Sequence, residues 1–312
     1  MTRKNRALFF AQIKKFYEKQ KTSFSKNLLI GVPFSWLLIF FFLPFLIVLK
    51  ISFAEPLVDL PPYSELIEWG KNHAFHIHVN LKNYLILFQD DLYRQALGQS
   101  LTIASVSTFI CLIMAYPMAY AMATAPEKKQ RLLLLLVMLP FWTSFLLRVY
   151  AWIGLLGSQG VINELLLGLG IIDQPLPLLY NNFAVGIGMV YCYLPFMILP
   201  LYASLVKFDW SLLEAAKDLG ARPSKIFFTI LLPLTKVGMI TGCLFVFIPS
   251  VGEFVIPELL GSSESLMLGK MIWTEFFTNR DWPVASAIAV CMLIFMILPL
   301  ILLQQKTEDP AS

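Results

Sequence analysis

The feature that most constrains this chain is a set of long stretches that contain no charged residue. The four longest hold 23, 32, 33 and 24 residues and are bounded by Lys26 and Lys50, Arg94 and Glu127, Asp173 and Lys207, and Asp281 and Lys306. A helix needs about 20 apolar residues to cross the hydrocarbon core of a bilayer. Each stretch therefore has room for one membrane-spanning helix.

Only 14% of the residues are charged, whereas a soluble domain carries about a quarter. Two further apolar runs each contain a single ionisable residue. Together the runs predict six spans at 28–51, 98–123, 132–155, 182–206, 236–256 and 284–303. Backbone polar groups in lipid need partners within their own segment, so these spans are predicted to be helices and the protein all-α.

The first apolar run has two interpretations. It is an uncleaved membrane anchor, or it is a signal peptide cleaved near Ser52-Phe53-Ala54. The hydrophobic part of a signal peptide is about 7–15 residues long, and this run is much longer. We therefore expect an anchor. The four cysteines lie in four different spans, which predicts small apolar residues rather than disulfides or metal ligands.

The distribution of Lys and Arg predicts the orientation, because cytoplasmic loops are enriched in both residues. Basic residues concentrate in segments 1–27, 124–131 and 207–236, which are expected in the cytoplasm. Segments 52–97, 156–181 and 257–283 are poor in them and are expected outside. Both termini then lie in the cytoplasm, with a tail at 305–312. The N-terminal segment 1–27 is either an interfacial helix or a solvated basic flank.

The longest predicted cytoplasmic segment between spans, 207–236, has the pattern of two short helices. Asp209 or Ser211 can cap the first helix, which ends at Gly220. Pro223 begins the second, and Leu232-Pro233 closes the unit. An exposed helix that carries Glu214, Ala215, Ala216 and Lys217 is suited to docking in a groove of another protein. An ordinary interfacial helix hairpin is the alternative.

These residues carry a resemblance to a known family. Glu214-Ala215-Ala216, followed by Gly220 and by Leu232-Pro233 before the penultimate span, resembles the EAA loop of permease subunits of binding-protein-dependent ABC importers. The resemblance extends from about residue 28 to 304, as a six-helix permease domain of the MetI-like fold. The stretches 139–156, 246–261 and 279–287 resemble the polyamine branch, and most closely its putrescine permeases.

The resemblance implies a specific assembly. Two permease subunits, usually non-identical, pair in the bacterial inner membrane, two ATPase subunits bind their EAA loops, and a periplasmic protein delivers the substrate. Glu214, Ala215, Ala216 and Gly220 then couple the permease to the ATPases, which use ATP and Mg²⁺. The chain has no Walker A pattern and no catalytic constellation, so we expect neither enzyme activity nor a bound cofactor.

Two charges lie inside otherwise apolar spans and are functional candidates for that reason. Arg148 either extends to the outer headgroups within an aromatic belt of Trp142, Tyr150 and Trp152, or pairs with Glu253. Glu253 follows Gly252 between Pro249 and Pro257, a pattern that predicts a broken helix lining a translocation path. A carboxylate there would attract an organic dication.

Four further residues are candidates for the substrate path. Tyr150, Tyr191 and Tyr193 can supply cation–π contacts, or they are packing residues and interfacial anchors. Asp281 is an acid at the start of the last span, or part of an outer gate. A metal site at His73, His76 and His78 is not expected, because the sequence offers neither a nearby cysteine nor a third ordered ligand. Contact of this loop with a binding protein is the preferred interpretation.

Three functions remain open at this point. The preferred one is import of a polyamine, most closely putrescine, by alternating access. The same importer class with spermidine or another small solute as cargo is the first alternative. An ion-coupled secondary transporter is the second, and the EAA-like segment argues against it.

Overall fold

A computed structural model describes residues 29–65, 67–69, 75–77 and 79–308, with side chains described except at 67–69, 75–77 and 298–308. The predicted segment 1–27, His73, His78 and the last four residues of the tail lie outside this range. His76 lies in a strand, but its side chain is among those not described. Contact of these histidines with a binding protein therefore stays a sequence-based prediction.

Helices make up almost all of the described structure, as the charge-free runs predict. The first half contains α1 (Leu29–Ser52), α2 (Lys82–Gln89), α3 (Asp91–Thr124), α4 (Glu127–Met138), α5 (Phe145–Leu156) and α6 (Val161–Gly168). The second half contains α7 (Asn182–Val206), α8 (Ser211–Asp218), α9 (Pro223–Leu234), α10 (Lys236–Val251), α11 (Val255–Leu260), α12 (Leu268–Trp273) and α13 (Trp282–Glu308). A two-stranded antiparallel hairpin, β1 (Ile67–Trp69) and β2 (Phe75–Ile77), lies between α1 and α2.

Four helical stretches of the described chain are long and apolar enough to cross a membrane, namely Leu29–Ser52, Asp91–Thr124, Phe145–Gly168 and Asn182–Val206. A fifth results if α9 and α10, which meet at a bend of 69°, are counted as one span. The last predicted span corresponds to the shorter apolar stretch Trp282–Ile297 of α13. Three of these stretches coincide with the first, second and fourth predicted spans. The remaining one, Phe145–Gly168, begins and ends further along the chain than the predicted third span.

The predicted third span, 132–155, is not one helix. The chain turns from α4 into a single 3-10 turn, Leu139–Trp142, and Thr143 is extended before α5 begins. Pro140 lacks a backbone N–H and cannot continue the hydrogen bonds of α4. The Thr143 hydroxyl donates to the Pro140 carbonyl over 2.8 Å and closes the turn. The long apolar stretch therefore starts at Phe145 rather than at residue 132.

The core is built from α3, α7 and α10, which pack against one another. Helix α7 supplies large side chains with almost no exposed surface, including Met189, Met197 and Leu201. Helix α10 approaches α7 along Gly238 and Gly242, the GxxxG spacing seen in the sequence. A Cβ at Gly238 would lie 2.5 Å from the Ser204 Cβ and 2.8 Å from the Pro200 carbonyl oxygen. Only glycine permits this separation of the two backbones.

Helix α1 is different, because its most apolar stretch has no buried residue. Trp36 is 64% exposed and Phe40 is 59% exposed. A soluble protein does not present such a surface to water. The exposed apolar girdle is the one expected of a protein whose outer solvent is lipid.

Candidate functional site

The segment after α7 folds as the two-helix unit that the sequence predicts. The Asp209 carboxylate accepts hydrogen bonds from the Ser211 amide over 3.1 Å and from the Ser211 hydroxyl over 2.7 Å. These bonds hold the pKa of the Asp209 carboxyl below its usual value. Trp210, which directly precedes α8, supplies no side-chain cap of its own. Asp209 thus fixes the start of α8.

Helix α8 ends at a glycine in the left-handed region, with φ of +76° at Gly220. The Gly220 amide donates to the Lys217 carbonyl over 2.8 Å, and the Ala221 amide donates to the Ala216 carbonyl over 3.0 Å. This pair of bonds is a Schellman motif, which satisfies carbonyls at the helix end. Because an L side chain is strained at this φ, Gly220 sets the angle between α8 and α9.

The exposed face of α8 differs from the predicted alanine pair. Glu214 and Ala215 are exposed, but Ala216 is only 9% exposed and packs inward with Leu213. The two inward residues are three positions apart and so lie on one face of the helix. In this conformation Ala216 faces the protein interior, and its part in coupling stays a prediction. Leu212 and Leu219 join Glu214 and Ala215 on the exposed side, and Leu219 is 88% exposed.

A buried hydroxyl pair joins this unit to the helix core, and no pattern of neighbouring residues predicts it. Thr235 lies at the bend between α9 and α10 and is fully buried. Its hydroxyl is 3.0 Å from the Tyr116 hydroxyl on α3 and 2.8 Å from the Leu231 carbonyl oxygen. The Tyr116 ring also meets the Phe227 ring edge-on, with centroids 5.3 Å apart. Movement of α9 is thereby tied to α3.

The predicted break in the fifth span is present, and Glu253 lies at its centre. Helix α10 ends at Val251 and α11 begins at Val255. One carboxylate oxygen of Glu253 accepts from the Val255 amide over 2.9 Å and from the Ile256 amide over 3.5 Å. The other accepts a hydrogen bond from the Tyr193 hydroxyl. Glu253 therefore caps the short helix α11.

Glu253 is only 9% exposed and Tyr193 only 8%. In this conformation the carboxylate is bonded to neutral donors within the protein rather than open to an aqueous path. The three candidate tyrosines do not converge on it. Tyr191 is 41% exposed and its ring meets Trp152 edge-on at 5.5 Å, while Tyr150 is 56% exposed on α5. Only Tyr193 is brought together with Glu253.

Arg148 does not reach the surface, which corrects the expectation of a side chain extended to headgroups. It is 9% exposed, and Val149 beside it is fully buried, whereas Tyr150 and Trp142 face outward. Tyr150 is two residues beyond Arg148, which places it on the opposite face of α5. The guanidinium lies 5.7 Å from the Phe145 ring centroid.

Within the described chain, the Nε and Nη1 atoms of Arg148 are buried without a hydrogen-bond partner. No acid in that same part of the chain comes within 4.0 Å of the guanidinium, so the alternative of a formed ion pair with Glu253 is not seen either. A buried unpaired donor costs about 1–3 kcal/mol. Arg148 is thus held in an unfavourable position in this conformation.

Asp281 occupies the helix-start position that the sequence suggested. Its carboxylate accepts from the Val284 amide over 3.0 Å at the start of α13. Burial raises the pKa of the Asp281 carboxyl, the Val284 hydrogen bond opposes that rise, and the nearby Glu275 charge adds to it. In this conformation Asp281 caps the start of α13, and its part in an outer gate stays a prediction.

Glu275 is a buried acid that the sequence reasoning missed. It is 8% exposed, and its carboxylate accepts from the Tyr93 hydroxyl over 2.9 Å and from the Asn279 side-chain amide over 2.9 Å. The contact with Tyr93 joins residues 182 positions apart and fixes the π-helical turn Thr274–Thr278, which follows α12, against α3. An acid next to Phe276 and Phe277 was the available signal, since such neighbours favour burial.

Comparison with known proteins finds relatives along nearly the whole chain. The family described as "Binding-protein-dependent transport system inner membrane component" matches residues 22–306. The "Spermidine/putrescine transport system permease protein PotB" of Haemophilus influenzae is 41% identical over 274 residues, which are 88% of this chain and 91% of that protein.

Two solved structures are similar in fold. One is a bacterial ABC transporter involved in the import of the acidic polysaccharide alginate, with a TM-score of 0.64, 14% identity, and coverage of 96% of this chain and 100% of that one. The other is the MetNI methionine ABC transporter, with a TM-score of 0.53, 17% identity, and coverage of 71% and 97%. The MetI-like fold expected from the sequence is confirmed. The chain therefore belongs to the family of binding-protein-dependent transport system inner membrane components, which are multi-pass permease subunits and not enzymes.

Proposed function

We propose that this chain is one of two permease subunits of an ATP-driven importer whose cargo is a polyamine, with putrescine as the preferred substrate. The observation that carries the cargo class is the 41% identity to a spermidine/putrescine permease over 91% of that protein. Spermidine is the alternative cargo. Both are flexible organic cations, so one carboxylate-lined path suits either.

The proposed coupling surface is the exposed face of α8, formed by Leu212, Glu214, Ala215 and Leu219. Two apolar side chains around one acid give an apolar centre and one charge-assisted contact, which suits a groove with a basic rim. Gly220 sets the direction of this face, and Ala216 supports it from the inside. Two ATPase subunits that hydrolyse MgATP are the proposed partners here, with a second permease subunit and a periplasmic binding protein completing the assembly.

Glu253 and Tyr193 are the proposed contact point with the cargo in another conformation of the protein. A primary ammonium donates hydrogen bonds to a carboxylate and lies well over the face of a tyrosine ring. Tyr191 packs edge-on against Trp152, Asp281 accepts from the Val284 amide, and Tyr150 is exposed on α5, so we assign them packing, capping and interfacial anchoring roles instead.

The experiment that tests the proposal is reconstitution of the chain with its candidate permease partner and ATPase in lipid vesicles. We expect uptake of labelled putrescine that needs internal ATP and the binding protein, with weaker uptake of spermidine. An ATPase variant without its phosphate-binding lysine is the control and should show none. Uptake that persists without any ATPase would favour a secondary transporter, and uptake of neither amine would reject the cargo.

A further inference from the structure

In the part of the chain that the structure describes, Arg148 lacks hydrogen-bond acceptors and Glu253 lacks a positively charged partner. The Arg148 guanidinium has two buried donor atoms without an acceptor in the described chain. Among the residues that the structure describes, only two backbone amides and the Tyr193 hydroxyl donate to the Glu253 carboxylate, so its charge faces neutral donors. An acid and a base that are both buried attract strongly where the surroundings are apolar.

The two charges lie in the same region of the fold. Helix α11, whose first amides Glu253 caps, packs against both α5, which carries Arg148, and α7, which carries Tyr193. Because α11 already packs against α5, the route from Glu253 to Arg148 runs through the short turn that joins α10 and α11.

We propose that Arg148 is the alternative partner of the Glu253 carboxylate, and that Glu253 exchanges the amides of α11 for the Arg148 guanidinium during the transport cycle. Arg148 is in this sense a positioning residue that acts through Glu253. The exchange gives the guanidinium its missing acceptor and replaces neutral donors by a charged one. No proton and no covalent bond changes hands.

The exchange has a mechanical consequence for α11. This helix has six residues, and its N-terminal amides are satisfied by the Glu253 side chain. When the carboxylate leaves, these amides lose their acceptor and α11 is released from the end of α10. The Tyr193 hydroxyl is freed in the same step. The break in the fifth span then has two conformations, one with Glu253 bonded to the α11 amides and one with Glu253 bonded to Arg148.

The inference deepens the proposed function and rests on it where the cargo is concerned. A cargo ammonium and the Arg148 guanidinium would compete for one carboxylate. Arg148 then keeps Glu253 occupied when no cargo is present, and an arriving ammonium displaces it. A neutral solute cannot do this, so the pair would select for cations.

Cysteine cross-linking tests the exchange without knowledge of the cargo. In the assembled transporter, with the four native cysteines replaced by alanine, one variant carries Gly188→Cys and Ile256→Cys, which join α7 to α11 and leave Arg148 and Glu253 in place. A Cβ at Gly188 would lie 2.9 Å from the Ile256 side chain in this structure, so the pair is close enough to form a disulfide. A second variant adds Arg148→Gln. Both are oxidised without nucleotide and after trapping with MgATP and vanadate. We expect the first variant to cross-link in one state only, and the variant with Arg148→Gln to cross-link in both.

Equal cross-linking of the first variant in both states, or the same state dependence with and without Arg148, would overturn the proposal. Charge variants give a second readout if the cysteine variants fail to assemble. Arg148→Lys should retain about tenfold more uptake than Arg148→Gln, the factor expected of one charge-assisted contact. Adding Arg148→Gln to Glu253→Gln should cause little further loss, because Arg148 acts through Glu253. Losses that multiply would mean independent roles and reject the exchange, whereas state-dependent cross-links without amine uptake would reject only the cargo.

Discussion

At the scale of single residues, Glu253 combines a structural contact with a charge. The carboxylate caps α11 and accepts from Tyr193. A glutamine in its place retains an oxygen of the same position and can still accept from the Val255 amide. The substitution therefore separates the two roles, because it removes the charge and leaves the cap.

We expect Glu253→Gln to reduce uptake of a diamine by about tenfold or more, since a hydrogen bond to a charged group contributes about 1.5–3 kcal/mol. The assembled complex should purify in normal amount. The measurement is uptake of labelled putrescine into vesicles at several concentrations. Glu164→Gln is a matched control, because Glu164 is an exposed acid on α6. Unchanged uptake kinetics in the Glu253 variant would remove this residue from the path.

A second residue prediction concerns Glu214, the exposed acid of α8. Inverting its charge in Glu214→Lys should abolish uptake and weaken co-purification of the ATPase, because a basic rim then meets a like charge. Glu127→Lys is the control, since Glu127 is an exposed acid in a predicted cytoplasmic segment outside the coupling unit. Co-purification and uptake both at the unaltered level would disprove the coupling role.

At the scale of elements, the bend between α9 and α10 is the point where the coupling unit meets the core. The 69° bend places the buried Thr235 at the corner, where its hydroxyl meets Tyr116 of α3. Motion of a rigid two-helix unit reaches the core only if the unit is fixed to the core by contacts. The hydroxyl pair and the Tyr116–Phe227 contact are such contacts.

We expect Tyr116→Phe to lower stability by about 1 kcal/mol, the usual contribution of one hydrogen bond, and to reduce the amine transported per ATP hydrolysed. The phenylalanine keeps the ring contact with Phe227 and removes only the bond to Thr235. The measurement is the ratio of uptake to ATP hydrolysis in vesicles. Tyr120→Phe is the control, because the Tyr120 ring also contacts this unit, at Trp210, and it lies on the same helix. An unchanged ratio would show that the hydroxyl pair carries no coupling.

The elements also show how far local sequence signals extend. Charge-free runs predicted the long helices, and the Gly220 turn and the break at Glu253 follow from residues next to one another in sequence. The inward direction of Ala216 and Arg148 was not predicted, because it depends on which face of a helix meets its neighbours. Tyr116 with Thr235, and Tyr93 with Glu275, are 119 and 182 residues apart. Such pairs leave no periodic pattern in a single sequence.

At the scale of the whole molecule, the function proposed here depends on which side of the membrane each segment faces. The bias of Lys and Arg predicts that α8 and α9 lie in the cytoplasm and that the loop between α1 and α2 lies outside. Coupling to a cytoplasmic ATPase is possible only in that orientation. The orientation is therefore the most decisive property to measure.

Two exposed side chains offer suitable positions for labelling. Leu219 follows α8 and is 88% exposed, and Val58 lies in the loop after α1 and is fully exposed. In a background without the native cysteines, a membrane-impermeant thiol reagent added to intact cells should label Val58→Cys and leave Leu219→Cys unlabelled. After the cells are opened, both should react. Labelling of Leu219→Cys from outside would place the coupling unit on the wrong side for an ATPase, and the importer assignment of this surface would fall with it.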